Sequence, residues 1–139
     1  MLQFLLHVLG YDLWFYASHL LLHTRPLYAL VHKKHHEIWK PHYMDTYYGH
    51  WFEGPFQSVG FLLPWAIMDV GWVSCIVALV FVNARGMLRH ESRLGWLVGN
   101  HHLLHHTLMR CNYGEYWLDR LCGTHCKDAS LCNNGLLRL

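Results

Sequence analysis

The chain has no lysine or arginine in residues 1–24 or 41–84; all eleven lie in 25–40 and 85–138. Set against nine Asp and Glu, they leave a formal net charge of only +2. So small an excess excludes a nucleic-acid binder driven by phosphate contacts. The aromatics fall in apolar runs, where a base-stacking platform would alternate them with basic residues. Glu-x-x-His pairs are missing, which argues against a soluble ferritin-like di-iron bundle. The N-terminus lacks a basic segment and a small-residue cleavage site, so no cleavable signal peptide is expected. Cys75, Cys111, Cys122, Cys126 and Cys132 are odd in number and irregularly spaced, unlike a disulfide scaffold, and fit a reducing compartment. Cys122 and Cys126 with His125 form a minor zinc alternative, since zinc modules more often present Cys-x-x-Cys pairs. There is no internal repeat beyond the echo of HKKHH in HLLHH, and no low-complexity tract.

What is present in excess is histidine, with fourteen in 139 residues, and the distribution of apolar residues says where they sit. The length suits one domain, 1–139. The two cation-free stretches are candidates for lipid. Residues 2–22 are about long enough to span a bilayer as a helix, and His7, Asp12 and His19 within it must then face protein. Residues 1–23 therefore read as a membrane helix carrying the first histidine box. Residues 24–55, punctuated by Pro26, Pro41 and Pro55, read as a water-side layer with the second box on a short helix, HKKHHEIWK. Residues 56–82 are apolar but interrupted by Pro64, Asp69 and Gly71, which predicts a membrane hairpin of two short helices. Residues 83–139 hold the third box and the C-terminal segment. The hairpin also follows from geometry, because a single span would part the second and third boxes by about 30 Å. The basic segments, and the boxes with them, are expected to face the cytoplasm.

At about 100° per residue, Asp12, Tyr16, His19 and His23 fall within an arc of roughly 60° and make one polar stripe. They form either a buried hydrogen-bonded network or a pair of metal ligands, His19 and His23, supported by Asp12 and Tyr16. His32, His35 and His36 span an arc of about 100°. Three adjacent imidazoles repel when protonated, whereas metal binding requires them neutral. His102, His105 and His106 repeat that spacing, with His101 beside them. His90 can add a ligand between the boxes. Eight or nine imidazoles are too many for one tetrahedral zinc and suit two metals. Imidazole serves iron, zinc and copper alike, and attack on an unactivated C–H bond of a lipid would select iron.

With these residues in view, the chain resembles the fatty acid hydroxylase and sterol desaturase superfamily, nearest its sterol desaturase branch. The resemblance runs from about Tyr11 to Thr124. It includes Asp12 and Tyr16 ahead of the first box, LYALVHKKHH, GHWFEGPFQS with His50 and Glu53, RHES, and NHHLLHHTLMRCNYGEYWLDRLCGT. It implies an all-α integral membrane domain with its histidine boxes in a cytosolic-side helical layer, at the endoplasmic reticulum if eukaryotic. It implies two iron ions, with zinc possible in a purified sample, and electrons from NAD(P)H through a cytochrome b5-like carrier. The ligands carried over are His19, His23, His32, His35, His36, His90, His102, His105 and His106, with His50 and His101 as additional candidates. Asn112 and Tyr113 would support the third box, and Asp119 and Gly123 would shape the closing turn. Some relatives place a further histidine where Gly86 stands. Relatives usually carry more membrane helices ahead of the first box, so a minimal or incomplete version is expected. The implied reaction is hydroxylation or desaturation of a lipid, whether sterol, acyl chain or carotenoid. The alternative is an inactive or partial metal-binding membrane protein or an interaction subunit.

Overall fold

The computed structural model describes residues 1–137, and among them there are helices and turns but no strand. The chain is an all-helical domain of membrane type. Helix α1, Leu2–Leu22, is followed by α2, Arg25–Leu30, which opens with Pro26 in its first turn where a missing N–H costs nothing. The second box, expected to be helical, winds as a 3-10 helix over His32–Glu37. That winding eclipses positions three apart, so the His32 and His35 rings stack with centroids 5.5 Å apart. A further 3-10 turn, Tyr43–Tyr47, leads to α3, Glu53–Ser58, which runs on as 3-10 over Val59–Ala66.

The apolar stretch then reverses at Gly71 into α4, Trp72–His90. This second arm is longer than two short helices would require. It continues past Val82 because Arg85 and Arg89 are buried against carboxylates, so its polar end stays inside the protein. The remaining helices are α5, Gly95–Val98; α6, His101–Leu108; and α7, Tyr116–Cys122. Among the described residues α4 is the one helix long and apolar enough to cross a membrane. Helix α1 matches it in length but carries His7, Asp12 and His19, all buried toward protein.

Two close contacts bind α1 to the first arm of the hairpin. Pro64 has no N–H to give the carbonyl three residues back, Phe61, and His7 Nδ1 donates to that oxygen at 2.9 Å instead. His7 is thus a structural residue, fully buried beside Trp65. One turn further along, Gly10 and Gly60 let the backbones touch: a Cβ on Gly60 would lie 2.7 Å from Tyr11 Cα and 2.8 Å from Trp14 Cβ. The apolar core beside this crossing is small, Phe61, Ala78 and Val82 with Phe4, Val8, Tyr11 and Cys75 around it.

Leu2, Leu5, Leu9 and Leu13 on α1, Leu62 and Leu63, and Val73, Ile76, Val77 and Val80 on α4 are all exposed. A continuous apolar surface of this kind suits lipid better than water. Inside, four charges tie α1, α4 and the segment before α7 together: Asp12 pairs with Arg85, Arg85 with Glu115 at 3.1 Å, and Arg89 with Glu115.

The Gly10–Gly60 contact gives a direct check. Gly60→Ala should destabilise the protein by about 1–3 kcal/mol, because backbone and not a flexible side chain must move. Gly54→Ala, where a Cβ meets nothing within 4 Å, should leave the melting temperature in detergent unchanged or slightly raised.

Candidate metal centre

Four segments deliver imidazoles to one place. The end of α1 supplies His19 and His23, the 3-10 turn His32, His35 and His36, the end of α4 His90, and α6 His102, His105 and His106. They sort into two groups, each with ligand atoms within 4.8 Å of one another: His19, His23, His32, His36 and His105 in one, and His35, His90, His102 and His106 in the other. The second and third boxes therefore contribute to both groups, and the first box to one. Eight of the nine rings are buried, and His23 is half-buried.

The hydrogen bonds of the outer ring nitrogens decide what the inner ones offer. His19 Nδ1 lies 2.5 Å from the Tyr113 carbonyl and His105 Nδ1 2.8 Å from that of Cys111. His35 Nδ1 and His90 Nδ1 lie 2.8 Å from the carbonyls of Tyr48 and Gly86. A carbonyl can only accept, so these four Nδ1 atoms carry hydrogen and, in a neutral ring, Nε2 carries a lone pair. The Nε2 atoms nevertheless face each other: His19–His32 at 2.9 Å, His23–His105 at 3.0 Å, His90–His102 at 3.1 Å and His35–His90 at 3.4 Å. Between His35 and His90 there is no hydrogen to share, and two lone pairs repel unless a cation lies between them. The spacing fits one, since metal–nitrogen bonds of about 2.1 Å set ligands about 3.0 Å apart at right angles and about 3.4 Å apart at tetrahedral angles.

The electrostatics agree with neutral rings. Burial, reinforced by neighbouring imidazoles, pushes His36 down to about 3 and His32, His102, His105 and His106 well below the ordinary histidine range; burial also lowers His35. Glu53 Oε1 lies 2.8 Å from His32 Nδ1, and burial pushes its carboxyl up to about 8. This carboxylate–imidazole pair is how a metal-binding histidine is commonly held in orientation.

Tyr113, expected to support the third box, does so through its backbone carbonyl on His19, and its ring packs against His23 and His105. Asp119 holds that loop in place. It accepts from the backbone N–H of Tyr113 at 2.9 Å and Gly114 at 2.8 Å, from Thr124 Oγ1 at 2.6 Å and from His101 Nε2 at 3.0 Å. Burial works to raise its pKa, and the bonds from His101, Thr124 and Gly114 outweigh it and keep it low. Asn112 takes φ 61°, donates to the His101 carbonyl and accepts from Cys126 N–H. Gly123 closes α7 at φ 73°, where a side chain would be strained.

Several expected positions lie elsewhere. His101 is turned to Asp119 and stands outside both groups, and so does His50, whose Nδ1 accepts from Phe52 N–H. Asp12 meets Arg85 and not an imidazole, because the buried guanidinium of α4 is the stronger partner. Tyr16 reaches Thr124 Oγ1 at 3.0 Å, since the chain after α7 returns alongside α1. Among the described residues both groups consist of histidine alone, so Cys122, Cys126 and His125 make no cluster. Sequence reasoning missed the carbonyls of Tyr48, Gly86 and Cys111 and the pairing of Glu53 with His32. Only Glu53 carried a signal, as an acidic residue at a segment that resembles the family.

A cavity of about 520 Å³ opens onto the cluster. His19, His32, His35, His90 and His102 form one end, and Tyr11, Phe15, Phe61 and Val82 give it an apolar wall. This volume suits a lipid-sized molecule.

Comparison with known proteins places this geometry. Residues 4–124 match the family model described as fatty acid hydroxylase. The chain is 30% identical over 132 residues to a Delta(7)-sterol 5(6)-desaturase of Gibberella zeae, covering 88% of this chain and 37% of that protein. It is 30% identical over 125 residues to methylsterol monooxygenase 1 of Rattus norvegicus, covering 81% and 43%. To a Delta(7)-sterol-C5(6)-desaturase of Nicotiana tabacum it is 28% identical over 120 residues, covering 78% and 44%. It thus spans about two fifths of the length of these relatives. No solved structure matches.

The neutral cluster makes the metal-free protein acid-sensitive. Above about pH 6.5 these histidines are neutral whether folded or unfolded; below it the unfolded chain binds protons that the folded cluster refuses. Stability should fall by about 1.4 kcal/mol per pH unit for each ring that stays neutral. Glu53 acts the other way, gaining as pH drops from about 8 toward its ordinary range, but it is one group against six. Melting temperatures of chelator-treated protein should rise slightly as pH falls from 8 to 7, where Glu53 takes up its proton, and drop steeply between 6.5 and 4; no drop by pH 5 contradicts the neutral cluster.

Proposed function

The chain belongs to the fatty acid hydroxylase family, and from that premise we propose that it is a membrane oxidoreductase with two iron ions that uses dioxygen to hydroxylate or desaturate a lipid. One observation carries this reading: nine imidazoles gather in two groups, and within one of them the unprotonated Nε2 atoms of His35 and His90 face each other, a set of donors that suits two metals. The names of the relatives, sterol desaturases and methylsterol monooxygenases, support a sterol or a fatty-acyl chain as substrate.

When bound, the two irons supply the redox chemistry that reduces oxygen and breaks an unactivated C–H bond. The chain's own residues do the rest. His19, His23, His32, His36 and His105 would hold one metal, and His35, His90, His102 and His106 the other. The carbonyls of Tyr113, Cys111, Tyr48 and Gly86 keep the rings from turning, so the site is ordered before anything binds. Tyr11, Phe15, Phe61 and Val82 exclude water and orient a hydrocarbon skeleton toward the imidazoles. Whether the outcome is a hydroxyl or a double bond depends on substrate placement of about an ångström.

The lipid reaches the cavity from the bilayer, with the exposed apolar faces of α1 and α4 in the acyl region. Seven of the nine histidines fall within the two sequence segments that hold the basic residues, 25–40 and 85–138, which supports a cytoplasmic-facing centre in a membrane of endoplasmic reticulum type. Electrons would come from NAD(P)H through a cytochrome b5-like carrier on that side.

Metal analysis and lipid profiling test this together. The purified protein should hold two irons per chain; His35→Ala or His106→Ala should lose about one, and His19→Ala or His105→Ala should lose the other. A host expressing the chain should accumulate an oxidised or desaturated lipid that disappears with His105→Ala. Bound metal with no oxygen uptake in the presence of a reductant and candidate lipids would instead mark a metal-binding membrane protein without catalysis.

A further inference from the structure

We infer that Tyr11 determines specificity by hydrogen-bonding one uncharged oxygen, a hydroxyl, on the lipid held in the 520 Å³ cavity; this rests on reading that cavity as the lipid site. Tyr11 lies in its apolar wall between two aromatic rings, stacked on Phe15 with centroids 5.5 Å apart and tilted against Phe61 at 4.6 Å. Among the described residues its hydroxyl has no hydrogen-bond partner. A phenol enclosed by apolar rings ordinarily finds one.

Most other polar groups on the wall are engaged, and two buried atoms, Glu53 Oε2 and Arg89 Nε, keep a free position that a neutral hydroxyl can also meet. Asn83 accepts from Tyr47 Oη at 3.1 Å and donates to the Leu79 carbonyl at 2.8 Å. Ser58 donates to the Gly54 carbonyl at 2.8 Å, and Glu53 is held by His32. Arg85 and Arg89 are matched by Asp12 and Glu115, two cations against two anions, so no free cation awaits a carboxylate. A neutral oxygen is the group this wall recognises. Tyr11 precedes His19 by eight residues on α1, about 12 Å along the axis. The hydroxyl-bearing end of the lipid and its reacting end are therefore read by groups that one rigid helix keeps apart.

A lipid without the oxygen would leave the phenol unpaired in an apolar cavity, which weakens binding. The test is equilibrium binding to the purified full chain in detergent of two pairs, cholesterol with 5-cholestene and 1-octadecanol with octadecane. In at least one pair the hydroxylated member should bind about tenfold more tightly. Tyr11→Phe should remove that ratio and leave the hydrocarbon's affinity and the melting curve unchanged, while Asn83→Ala should keep the ratio. The inference is overturned if neither hydroxylated lipid binds, if the wild-type ratio is near one in both pairs, or if Tyr11→Phe preserves it. Binding needs no turnover, so the two readings fail separately. A chain that discriminates by Tyr11 yet consumes no oxygen keeps this inference and loses the oxidase reading; one that oxidises lipid with the ratio intact in Tyr11→Phe does the reverse.

Discussion

Everything at the centre depends on where the imidazole hydrogens go. Carbonyls of Tyr113, Cys111, Tyr48 and Gly86 take the Nδ1 hydrogens of His19, His105, His35 and His90, and Nε2 is thereby left as a lone pair aimed inward. Without those outer bonds the rings could flip and hydrogen-bond one another, and the cluster would be an ordinary buried polar network. With them, His35 and His90 meet as two acceptors. That arrangement is unfavourable when the two nitrogens face each other alone and would become favourable with a cation shared between them.

The surrounding structure serves to keep those carbonyls in position. The loop that presents Cys111 and Tyr113 is bent through left-handed Met109 and Asn112 and gathered onto Asp119, which spends its acceptors on backbone N–H groups, Thr124 and His101. The end of α4 is anchored by the pairs of Arg85 and Arg89 with Asp12 and Glu115, and this fixes the turn that carries His90. The quartet is buried and neutral overall. It therefore orders three segments without leaving a net charge in the cavity beside it, a cost that an unpaired guanidinium would impose.

Legibility in the sequence followed the kind of interaction. The nine histidines that form the two groups were all readable, because each box repeats a fixed spacing and three adjacent imidazoles are hard to explain on a solvated face. The helix over 2–22 and a break near Pro64 and Gly71 were readable from length and from residues that stop a helix. Asp12 and Tyr16 were placed on the correct stripe but given the wrong partners, since a helical wheel reports direction and not what arrives from residues 85 or 124. His101 and His50 show the same limit: adjacency to a box in sequence does not bring a ring to the centre.

The sequence by itself determined the chemistry available: imidazoles in excess, grouped on short helical turns, next to two stretches without a cation. Those are local properties, fixed by residue type and spacing. Only the tertiary structure decided how nine rings divide into five and four, which nitrogen of each faces inward, and what stands behind it. The partners are backbone carbonyls and residues up to 94 positions away, and a carbonyl has no residue type for a sequence to reveal. The three boxes of the sequence become two groups in the structure because the second box divides, His32 and His36 joining one group and His35 the other, and the third divides likewise, His105 from His102 and His106.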